Sequence, residues 1–167
     1  MSIFVRPQKD YCEVRVTDNI WNLDEVARAD MRLLLATLKE YSGYALTDLP
    51  VFKPFGASVN LEGAVGLAVA QLDGQPELSE LRSALVAGFR GQAKRGEIRA
   101  AGCAQAGHHE FAGGGGARPA ILIRIECKAG VCGLVAVPYT MEAPDKVSFG
   151  ESDIMRDEPW VWVGLGA

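Results

Sequence analysis

Ala120-Ile-Leu-Ile-Arg-Ile-Glu-Cys-Lys128 runs through Ala129-Gly130 into Val131-Cys-Gly-Leu-Val-Ala-Val-Pro-Tyr139, the strongest β-signal in the chain. Alternation over 121–128 sets Ile121, Ile123, Ile125 and Cys127 on one face and Leu122, Arg124, Glu126 and Lys128 on the other. With Ala129 and Gly130 as a two-residue turn, Cys127 faces Cys132 across a non-hydrogen-bonded pair, with Cα atoms about 4.5 Å apart. That register also puts Val135, Val137 and Tyr139 on the Arg124–Glu126 side. The face is then partly apolar and needs a helix or a second subunit to cover it.

Upstream, Met31, Leu34, Leu35, Leu38 and Tyr41 recur at helical spacing, Asn22 with Glu25 makes a variant capping box, and Ser42-Gly43 ends a helix expected over 23–41. Residues 55–61 and 64–72 read as a hairpin around Glu62-Gly63. Pro76 opens a second helix whose stripe is Leu78, Leu81, Leu85 and Phe89, closing at Gly96. Residues 97–105 are a further strand, followed by a loop over 106–119 with Gly113–Gly116 at its centre. Residues 146–150 and 160–163 suggest two short strands, and 11–17 an edge strand.

The order helix, hairpin, helix, meander predicts an α+β domain with a single, largely antiparallel β-sheet and two main helices. One domain over 1–167 is expected, with an N-terminal arm at 1–20, a core at 21–151 and a C-terminal tail at 152–167. The element order over roughly 23–150 resembles that of the profilin-like group of folds, including roadblock and longin domains. It transfers no residue motif. The resemblance implies a small-ligand or protein-interaction module that often dimerises through a helix or a sheet edge.

The chain has 167 residues, 49% apolar and 23% charged, which excludes wholesale disorder, collagen-like repeats and disulfide miniproteins. With 17 basic and 21 acidic side chains and a net charge of -4, it lacks the basic excess of a nucleic-acid-binding domain, so no nucleic-acid partner is expected. The acid excess is local to Glu142–Glu158. No stretch reaches membrane-span length, and Arg6 and Lys9 interrupt any signal-peptide core, so a cytoplasmic location away from membranes is expected. There Cys12, Cys103, Cys127 and Cys132 would stay reduced.

Four groups of residues could carry chemistry. Cys127 and Cys132, if opposed, could be a redox-sensitive pair or half of a soft-metal site; the plainer reading is two small core residues. His108 and His109, adjacent on an extended segment, point to opposite sides, so they cannot easily share a metal. One of them could still join Cys127 and Cys132, or Glu110, as ligand or general base, against the plainer reading of a solvated loop. Arg124, Glu126, Tyr139 and Glu97 could line a pocket for a small polar ligand, or form an ordinary cross-strand ion-pair surface. Trp160 and Trp162 fall on one face and could anchor a partner or pack back as a last strand. Arg90, Lys94, Arg95 and Arg99 gather near the end of the second helix, where cations complement its dipole.

No Walker loop, Rossmann fingerprint or nucleophile elbow is present, and no cofactor is implied. These features favour a small-ligand or protein-binding module, homodimeric through the apolar sheet face and the tryptophan tail. The alternative is a thiol- or metal-dependent redox protein or hydrolase using Cys127, Cys132 and His108 or His109.

Overall fold

The computed structural model describes residues 23–48 and 52–165 in full and the backbone of 2–5. Its elements are β1 (Ser2–Val5), α1 (Glu25–Asp48), β2 (Phe55–Asn60), β3 (Val65–Val69), α2 (Leu78–Lys94), β4 (Ile98–Glu110), β5 (Ala117–Cys127), β6 (Val131–Ala143), β7 (Lys146–Phe149) and β8 (Asp153–Arg156). They form one sheet in the order β1-β3-β2-β4-β5-β6-β7, with β8 beside β6 and every pairing antiparallel. The fold is α+β with a single sheet. The edge strand expected over 11–17 and the cap expected at Asn22 lie outside the described residues.

The helix expected over 23–41 starts where the Asp24 carboxylate accepts the Ala27 N–H at 2.8 Å. It runs past Ser42-Gly43 because Ser42 turns its hydroxyl back onto the Leu38 carbonyl at 2.7 Å, and Gly43 lies against Val147 and Phe149 of β7. Met31, Leu34, Leu35 and Leu38 meet Ala57 and Val59 of β2, Ala100 and Ala104 of β4, and Ile121, Ile123 and Ile125 of β5. The second helix begins two residues after Pro76, with the Glu80 carboxylate accepting the Glu77 N–H at 2.8 Å. Leu81, Leu85 and Phe89 are buried, the latter two on the opposite face of the sheet against Ala68, Ala101, Cys103 and Trp160, whereas Leu78 is exposed. α1 therefore covers one side of the sheet, and α2 with the C-terminal segment covers the other.

Both central hairpins turn differently from expectation. Cys127 pairs with Val131, and the Asn60 N–H donates to the Ala64 carbonyl at 3.0 Å, so each loop has three residues at its tip, Lys128-Ala129-Gly130 and Leu61-Glu62-Gly63. A two-residue type I′ turn needs positive φ at both central residues, which Ala129 and Glu62 resist. The three-residue form needs it only at the last, where Gly130 takes φ 88°. A one-residue slip moves a whole strand face. Val135 and Val137 accordingly oppose Ile123 and Ile121 and are buried under α1, not beside Arg124 and Glu126. Val135 and Val137 therefore leave the face from which a homodimer was expected, and Leu134 and Ala136 take their parity there beside Leu122.

The loop expected over 106–119 is also shorter. β4 and β5 pair out to Glu110 and Ala117, because Phe111 is buried against Ala120 and Ala136 and anchors the hairpin tip. Residues 160–163 are not a strand; β8 takes the place beside β6, and the chain then crosses the α2 face.

Candidate functional site

The four residues expected to line a polar pocket are not brought together. Arg124 and Glu126 are neighbours on the α2 face, but Tyr139 packs with the α1 core. Glu97 sits exposed before β4, bound to Arg95 at 2.6 Å, and that hydrogen bond holds its carboxyl below the usual range.

Glu126 serves the chain itself. Only 1% exposed, its carboxylate accepts the backbone N–H groups of Trp160 and Val161 on one oxygen at 2.7 and 2.6 Å, and that of Trp162 on the other at 3.1 Å. Trp160 is thereby turned inward, edge-on to Phe89 with ring centroids 6.2 Å apart, and Trp162 is half-buried. Of the two readings for the tryptophans, packing back on the body holds for Trp160, though not as a strand. Arg124 binds Asp157 and lies 5.5 Å from the Trp160 ring centroid, so the tail is held from both sides.

Cys127 and Cys132 do not face one another. The register sets Cys127 among the α1 core residues and Cys132 opposite Glu126, on the other face. Burial pushes the Cys127 thiol up, and pushes Cys132 up to about 12, with Glu126 and Asp157 adding to it. His108 and His109 lie on β4, not in a loop. His108 is level with Pro119, whereas Ala100 is level with Cys127, eight residues along the same strand. At the rise of a strand this separates histidines from cysteines by roughly 26 Å, so neither histidine joins the cysteines at one site. His109 instead meets Asp153 at 3.2 Å, its ring edge-on to Phe111, and ties the β4–β5 hairpin to β8. Among the described residues no group of three potential metal ligands is assembled.

What the fold does build is a groove of about 480 Å³ between α2 and the sheet. Arg82, Val86, Arg90 and Lys94 recur every fourth residue and form one helical row beside the buried row Leu81, Leu85 and Phe89. Ala87 and Gly91 line it too, with Cys103 of β4 and Arg124 of β5 on the sheet side. Arg82 donates to the Gln105 side-chain oxygen at 3.3 Å, and Arg90 to the Trp160 carbonyl at 2.7 Å. Arg124 is matched by Asp157, but Arg82, Arg90 and Lys94 have no carboxylate partner among the described residues. The Cys103 thiol is pushed up to about 11 by burial, which outweighs the opposing pull of Arg124 and Arg82.

Sequence reasoning grouped Arg90 and Lys94 with Arg95 and Arg99 at the helix end. The structure divides them, because Arg95 pairs with Glu97, and Arg99 grips the buried Asp30 through two nitrogens at 2.7 and 2.8 Å. The four-residue recurrence from Arg82 to Lys94 was the readable signal for the groove. Arg124, thirty residues further on, carried none.

Comparison with protein-family models, with curated proteins and with solved structures finds no match. Nor is any helix among the described residues long and apolar enough to cross a membrane.

The buried thiols set an alkaline limit on stability. Cys103 and Cys132 hold their protons more tightly folded than unfolded, their pKa values rising from 9.0 to about 11 and about 12. The stability this confers is complete below about pH 9 and is lost as pH rises through about 11 to 12. Urea midpoints should therefore fall over that window, and less steeply in Cys132→Ala. Parent and variant falling in parallel would show that Cys132 does not titrate this way.

Proposed function

We propose that the protein is a binding module that takes a small anionic ligand in the groove between α2 and the β4–β5 pair. The observation that carries this is the convergence of Arg82, Arg90 and Lys94 on one concave surface with no carboxylate partner among the described residues, in a chain of net charge -4. Guanidinium groups match carboxylate and phosphate oxygens in paired hydrogen bonds, and a concave, partly apolar wall strengthens them by displacing water.

Binding is favoured over catalysis by what lines the groove. Ser83 donates its hydroxyl to the Ser79 carbonyl at 2.9 Å, and the Cys103 thiol stays protonated at neutral pH. Among the described residues neither imidazole nor carboxylate lines the groove, so none of them is placed there to take a proton from a substrate.

Titration calorimetry with inorganic phosphate, citrate and α,ω-dicarboxylates tests the reading. Arg90→Gln should weaken binding about tenfold, equivalent to about 1.4 kcal/mol. Raising sodium chloride from about 50 to about 500 mM should weaken it further by screening. If no anion of this panel titrates, the reading fails.

A further inference from the structure

The cations do not cluster at a point. Arg82 and Arg90 are eight residues apart on α2, which places their Cα atoms about 12 Å apart along the groove, and Lys94 lies about 6 Å beyond. Their heads are held apart too. Arg82 is tied to Gln105, whereas Arg90 is tied to the Trp160 carbonyl, and the Trp160 N–H is bound to Glu126, the register partner of Ala101. Gln105 and Ala101 are four residues apart on β4, again about 13 Å. Between the two poles the wall is Val86, Ala87 and Cys103, and Arg124, the one cation there among the described residues, is already matched by Asp157. A compact anion can satisfy one pole and leaves the other unpaired.

We infer that the groove selects an elongated organic dianion, with anionic groups at its two ends about 12 Å apart and an uncharged, apolar middle. This rests on the anion-binding reading above and specifies its ligand class. One end sits at Arg82 and the other at Arg90 and Lys94, while the middle lies over Val86, Ala87 and Cys103. Carboxylate and phosphate end groups share the chemistry these side chains recognise.

The test is calorimetry on the full chain with sebacate, whose extended length matches the separation, against succinate, which is too short, and decanoate, which has the apolar body but one charge. Sebacate should bind at least about tenfold tighter than either, a difference of about 1.4 kcal/mol. Arg82→Gln should bring sebacate to the level of decanoate with an unchanged circular dichroism spectrum. The bisphosphate of decane-1,10-diol binding tighter than sebacate would support the same geometry with phosphate as the end group. Sebacate no tighter than succinate or decanoate, while inorganic phosphate still titrates, overturns the inference and leaves the anion-binding reading standing. Absence of binding by every anion overturns both.

Discussion

Glu126→Ala should lower the free energy of unfolding by about 3 to 5 kcal/mol, the range for removing one partner of a buried charged arrangement. The carboxylate accepts three backbone N–H groups, two of them in wholly buried bonds at 2.7 and 2.6 Å. Without it those donors face an apolar surround, at a cost of about 1 to 3 kcal/mol for each that water does not reach. Trp160 and Val161, 4% and 0% exposed, depend on the same contact for their place against Phe89 and Ala101. The variant's tryptophan emission should shift to the red, and the tail should become open to protease before the rest of the chain. Glu126→Gln keeps one acceptor oxygen and should lose only about 1 to 3 kcal/mol. A urea midpoint in Glu126→Ala equal to that of the parent would show that the carboxylate does not hold the tail.

Leu38→Ala should cost about 2 to 5 kcal/mol, since a fully buried leucine between α1 and the sheet leaves a cavity that the strands cannot collapse to fill. Its effect is coupled to Gly102. A Cβ at Gly102 would stand 2.7 Å from Leu38 Cδ1 and 3.1 Å from the Arg124 carbonyl oxygen, so Gly102→Ala alone should cost about 1 to 3 kcal/mol by overpacking. With Leu38 shortened, the closer clash vanishes and the new methyl occupies part of the void. The double variant should then be less destabilised than the two single losses together by at least about 1 kcal/mol. Additive losses in denaturant titrations would mean that Leu38 and Gly102 do not meet.

The apolar rows of both helices were legible in the chain, because Leu34 with Leu38 and Leu81 with Leu85 and Phe89 follow the helical period regardless of what they pack against. So were the alternation of β5 and the order of elements, and with them the α+β class. Helix ends and strand ends were not, since Gly43 in α1 and Gly107 in β4 lie against neighbours distant in sequence, Phe149 for one and Leu122 for the other. The pairing of β5 with β6 was a one-residue decision that alternation alone could not make. β6 carries Leu134 and Ala136 at one parity and Val135 and Val137 at the other, so either register buries aliphatic side chains. The turn chemistry of Lys128-Ala129-Gly130 decided it, and that residue-by-residue preference was readable, for alanine resists the positive φ that the shorter turn demands of it.

The site was the least legible part, for a physical reason. Glu126 recognises the main chain at 160–162, and backbone N–H groups are the same at every residue but proline, so the sequence holds no mark of that contact. The groove sets one helical row against Arg124 and Cys103 of two different strands. By itself the chain determined which residues are apolar, which are charged and at what period each recurs. Which face each strand turned to which helix, and so which cations came to share one surface, was decided only when α1 and α2 closed on opposite sides of the sheet, because burial there is a property of the whole fold and not of any segment.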